Sequence, residues 1–137
     1  MKKILALLVL FFTFILTGCN PSNYSADTIK SNLEKNGYTV EVNPTVVNLD
    51  TSKMEGLQTI VYGYKGEYGT LFFVFDSTAN ANKLTDANPV PAHVSIIMDW
   101  GKDHAKENNK EFGAYNNVVY SGDKDIRKGS GIKLATD

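Results

Sequence analysis

A single cysteine, Cys19, is the whole thiol content of this 137-residue chain, which excludes an internal disulfide framework. Charge of one sign is also lacking. With 14 basic residues against 15 acidic ones the formal net charge is −1. A dedicated nucleic-acid binder needs a basic surface to answer the phosphates, so that class is excluded. There are only two histidines, His93 and His104, eleven positions apart. That is not the i, i+4 spacing of a helical metal pair, and no metal or cofactor is expected. Gly-x-Ser-x-Gly is absent, as is a glycine-rich phosphate loop with its lysine. The longest apolar run, Ile4 to Leu16, has 12 apolar residues in 13. A membrane-spanning helix needs about 20. Seven Phe, seven Tyr and one Trp in a chain that is 42% apolar are, by contrast, ample for a packed core.

The apolar run follows Met1-Lys2-Lys3 and ends in polar Asn20-Pro21-Ser22-Asn23. A short basic start followed by 7–15 apolar residues is the layout of a secretory signal. The run closes on Leu16-Thr17-Gly18-Cys19. Here the chain resembles bacterial lipoproteins, whose lipobox places small residues between a leucine and a cysteine. The resemblance implies that residues 1–18 are a signal peptide and that cleavage falls before Cys19. It also implies that the Cys19 thiol carries a diacylglyceryl group. The protein would then sit on the outer face of the cell membrane. The chemistry is consistent, because small residues admit a peptidase to the backbone and a thiolate accepts the lipid. The alternative is an ordinary secreted protein cut near Gly18 with a free thiol.

Removing residues 1–18 leaves 119 residues and takes Lys2 and Lys3 away, so 12 basic residues face 15 acidic ones. A domain of net −3 gains nothing from an anionic surface, and the lipid alone would tether it. Residues 19–24 form a short tether that reaches about 20 Å when fully extended. Residues 25–137 are expected to fold as one domain with a loose C-terminal tail around Gly129-Ser130-Gly131.

Ser25 is positioned to cap a helix over 26–36, with Ala26, Ile29 and Leu33 on one face and Gly37 as its stop. Tyr38 to Val42 alternates as a half-buried strand, and 46–49 reads as an extended piece. Residues 57–64 and 68–75 form the clearest element, a hairpin turning at Lys65-Gly66-Glu67. Leu71 to Phe75 is apolar on both faces, as a doubly covered central strand would be. A second helix runs from Asp76 or Ser77 to Ala87, and a last strand covers 117–121. Residues 92–100 fit two patterns: Ala92, Val94, Ile96, Met98 and Trp100 follow a strand's period two, while Val94, Ile97, Met98, Gly101 and Ala105 follow a helix. The helical spacing of the charges from Lys102 to Glu111 favours a third helix from Pro91 to Asn109. Residues 123–128 read as one helical turn. The class is α+β: a small antiparallel sheet of three to four strands with a central hairpin, packed against two or three helices.

Tyr62, Tyr64 and Tyr68 surround the hairpin turn and form the candidate partner-binding surface, since tyrosine pairs an apolar ring with a polar tip. Cross-strand packing is the competing role for the same rings. Asp99 and Asp103 would share a helix face beside His104, an arrangement that reads as a solvated surface. Asp76-Ser77-Thr78 resembles the start of a calcium loop but lacks its later glycine and glutamate. The resulting expectation is a non-enzymatic, lipid-anchored binding or accessory module, whose partner is the membrane and another envelope protein. In composition it resembles small lipoproteins of low-GC Gram-positive bacteria. The alternatives are an exclusion lipoprotein of a phage or plasmid, or a small envelope hydrolase.

Overall fold

The computed structural model describes residues 23–45 and 49–137. The leader, Cys19 and most of the extended piece at 46–49 lie outside the described residues. Helix α1 (Ala26–Lys35) is followed by strand β1 (Thr39–Val42), a short 3-10 turn (Thr51–Lys53), β2 (Leu57–Lys65) and β3 (Tyr68–Phe75). Then come α2 (Thr78–Thr85), α3 (Ala92–Asp103), β4 (Lys110–Tyr115), β5 (Val118–Asp123) and α4 (Lys124–Gly129). The strands make one antiparallel sheet in the order β1-β2-β3-β5-β4. The class is α+β, and the sheet has five strands where three to four were expected.

The period-two pattern of β3 explains the layering. Phe72 and Val74 enter one core with Ile29, Leu33, Val61 and Ile126, under α1 and α4. Leu71, Phe73 and Phe75 enter the other with Ala81, Leu84, Val94 and Ile97, under α2 and α3. Both faces of the sheet are therefore covered, which is why β3 shows no polar alternation. Helix starts follow their caps: Ser25 accepts from the Thr28 amide, Ser77 from Asn80 and Asp123 from Asp125. The Ser77 cap gives the short motif at 76–78 a local structural role.

Three expectations require correction. The third helix stops at Asp103 rather than Asn109, capped by His104, whose carbonyl accepts from the Gly69 amide at 2.8 Å. Residues 110–115, which the sequence pattern assigns to no element, form the edge strand β4. Its exposed Lys110, its charged Glu111 and its Gly113 hide strand character. The tail is not loose. Ser130 and Ile132 are fully buried, and Ile132 sits in the core beneath α1 and α4. Arg127 pins this segment, with Nη1 donating to the Ile132 carbonyl at 3.0 Å.

Close approach of α3 to the sheet depends on one missing side chain. A Cβ on Gly101 would lie 2.0 Å from Ser121 Oγ and 2.9 Å from the Gly122 amide nitrogen. Ser121 Oγ is itself committed, donating to the Ile97 carbonyl at 2.8 Å. Gly101→Ala should destabilise the fold in a urea titration by about 1–3 kcal/mol, because overpacking outweighs the roughly 1 kcal/mol gained in helix propensity. An unchanged midpoint would show that α3 floats on the sheet.

Candidate functional site

The hairpin places Tyr62 and Tyr64 two residues apart on β2, so both project from the face that α3 covers. Their rings stack at 4.7 Å with an interplanar angle of 19°. Tyr62 meets Trp100 edge-on at 5.5 Å, and Trp100 stacks on His104 at 4.0 Å and 11°. Trp100 and His104 are i, i+4 at the end of α3, the spacing that puts side chains one above the other. The result is a continuous run of four partly exposed rings across β2 and α3.

Polar tips fix this run in place. Tyr64 donates to Glu41 Oε1 on the neighbouring strand at 3.2 Å. His104 Nδ1 lies 2.8 Å from the Trp100 carbonyl. A carbonyl only accepts, so Nδ1 carries the proton of this hydrogen bond. Burial raises the Tyr62 phenol above its ordinary value, reinforced by Tyr64 and Glu41. Desolvation and the Glu41 hydrogen bond raise Tyr64 in the same direction. Both shifts favour the protonated phenol, and Tyr64 spends its proton on Glu41.

The two tyrosines differ in what they support. A Cβ on Gly69 would fall 2.5 Å from a ring carbon of Tyr62, so this ring lies flat over the glycine of the facing strand. Tyr62 therefore fills the gap that Gly69 leaves, as cross-strand packing requires. Tyr64 stands outside it. Tyr68 does not join them: it projects from the opposite face and packs toward the α1–α4 core, with Lys106 Nζ 5.5 Å from its ring centroid. Trp100 and His104 were not singled out as partners of the hairpin. Their i, i+4 spacing was legible, but contact with β2 comes from the packing of α3.

On Tyr68's side a depression of about 380 Å³ is lined by Tyr38, Lys65, Tyr68, Lys106, Asp123 and Asp125. It adjoins one of about 470 Å³ that shares Tyr38 and Asp125 and adds Lys128 and Lys133. Asp123 is only 1% exposed and is spent on structure, accepting from the Lys106 and Asp125 amides at 3.0 and 2.9 Å. His93 borders a smaller depression of about 210 Å³ with Glu55 and Lys83, which pair with each other at 3.0 Å. Asp99 pairs with Lys102 at 3.8 Å and both are exposed. Among the described residues no group of three His, Cys, Asp or Glu side chains is placed to hold a metal ion. Comparison with family models, with curated proteins and with solved structures finds no match to this chain.

Proposed function

We propose that this protein is a lipid-anchored module on the outer face of the cell membrane, attached through Cys19, which binds a partner protein of the envelope. The observation that carries the anchor is the placement of Leu16-Thr17-Gly18-Cys19 directly after a basic and apolar leader, using the chain's sole cysteine. Two acyl chains suffice for stable attachment. A mildly acidic domain supplies no competing electrostatic anchor.

The docking surface is the aromatic run from Tyr64 to His104. Aromatic rings with polar tips concentrate binding energy at interfaces, and here they are held in place before any partner arrives. Tyr68, on the opposite face, is not part of that surface in this reading.

Two experiments test the two halves of the proposal. Cys19→Ala should move the protein from the membrane fraction to the medium or leave it as unprocessed precursor. A variant still processed and membrane-retained rules the anchor out. Tyr64→Ala, which leaves Tyr62 over Gly69, should keep the wild-type unfolding midpoint while losing the protein crosslinked to it in membranes. Unchanged crosslinks would remove this surface from the account.

A further inference from the structure

Tyr24 is held at one defined end of the sheet. The Tyr24 amide donates to Asn117 Oδ1 at 2.6 Å, and Asn117 Nδ2 donates back to the Tyr24 carbonyl at 2.9 Å. Asn117 is 2% exposed and also ties down the end of β3: its Nδ2 donates to the Phe75 carbonyl at 3.0 Å, and its own carbonyl accepts from the Phe75 amide at 2.8 Å. The Tyr24 and Tyr115 rings meet at 5.9 Å beside this clamp. Tyr24, the end of β3 and the β4–β5 turn therefore share one end of the domain. The Lys65–Glu67 turn, the start of β4 and the end of α3 share the other, joined through Lys110 opposite Asp123 and the Gly69–His104 bond.

We infer that the end bearing Tyr24, Tyr115 and the β4–β5 turn rests against the lipid headgroups, with the sheet upright and the β2–β3 turn pointing away. This rests on the lipid anchor at Cys19. Cys19 and Tyr24 are five residues apart, a reach of at most about 18 Å. Strand β3 alone, eight residues long, separates the two ends by about 23 Å. An inverted domain would lift Tyr24 beyond the reach of its own tether. The near end carries the Tyr24 and Tyr115 rings, which suit a membrane–water boundary, together with the exposed carboxylates of Asp27, Glu55 and Asp76, of which Glu55 pairs with Lys83. Lys65, Glu67, Lys102, Lys106, Lys110 and Lys124 fall toward the far end, where they remain hydrated. The run from Tyr64 to His104 is thereby presented away from the membrane.

The test uses the full lipidated chain in vesicles of phosphatidylcholine and phosphatidylglycerol that carry a headgroup-attached quencher. A thiol-reactive fluorophore is placed on Thr78→Cys at the near end or on Glu67→Cys at the far turn. Cys19, as a thioether, does not react. With protein that floats with the vesicles, the Thr78 probe should be quenched several-fold more than the Glu67 probe. Equal quenching, or stronger quenching at Glu67, overturns the orientation while leaving the anchor standing. Protein that fails to float overturns the anchor, and the orientation falls with it.

Discussion

Arg127→Met should cost about 3–5 kcal/mol in a denaturant titration, because it strips the cation from a buried cluster and leaves two carboxylates behind. The Arg127 side chain has no exposed surface, and its partners Glu111 and Asp137 are 18% and 14% exposed. All five guanidinium N–H groups are used. Nε and Nη2 grip Glu111 at 2.9 and 2.8 Å, Nη1 and Nη2 grip Asp137 at 2.5 and 2.6 Å, and Nη1 also reaches the Ile132 carbonyl. The cluster joins β4, α4 and the C-terminal segment, above the Tyr120 ring. Replacing Arg127 and both carboxylates by apolar residues of similar volume should recover most of the loss, since the cost lies in orphaned charge.

The same cluster sets an acid dependence whose sign is fixed. Hydrogen bonds from Arg127 hold the Asp137 carboxyl well below its ordinary 3.8, against the opposing effect of burial and with help from the Leu134 amide. A carboxyl depressed in the folded state contributes fully above its unfolded value and loses that contribution as pH falls through its folded one. The acid limb of the stability curve below pH 3.8 should therefore flatten in Asp137→Asn. An unaltered limb would remove Asp137 from the cluster.

Phe73→Ala should be as damaging, at about 3–5 kcal/mol, through a cavity that the sheet and helices cannot collapse to fill. Phe73 is fully buried on the central strand, paired with Ile60 on one side and Val119 on the other. Above it lie α2 and α3, whose buried Ala81, Leu84, Val94 and Ile97 complete the same core. Phe73→Leu, which keeps most of the apolar volume, should recover well over half of the loss. A loss below about 1 kcal/mol for the alanine variant would mean that α2 and α3 are not closed over this face.

The parts legible in the sequence are those where local chemistry and tertiary packing agree. Ser25 and Gly37 bracket α1, Lys65-Gly66-Glu67 turns the hairpin, and the two-sided apolarity of Leu71 to Phe75 marks the covered central strand. Strand β4 was not legible because it is an edge strand. Its Glu111 looks like solvated charge in sequence, yet in the fold it serves the buried Arg127. The tail misled for the same reason: Gly129-Ser130-Gly131 carries loop chemistry, while its order comes from Arg127 and Asp137, sixteen and twenty-six residues from Glu111. At the candidate site, the shared face of Tyr62 and Tyr64 follows from period two. The separation of Tyr68 follows from the turn between them. The union with Trp100 and His104 depends on how closely Gly101 lets α3 approach, which no local pattern encodes.

The central claim is that Cys19 becomes the lipidated first residue of a domain displayed on the membrane, and the mass of the N-terminal peptide of the membrane-extracted protein tests it most directly. The account predicts a peptide that begins at Cys19 and carries a diacylglyceryl group on its sulfur. A peptide beginning elsewhere, or a Cys19 with an unmodified thiol, would contradict it.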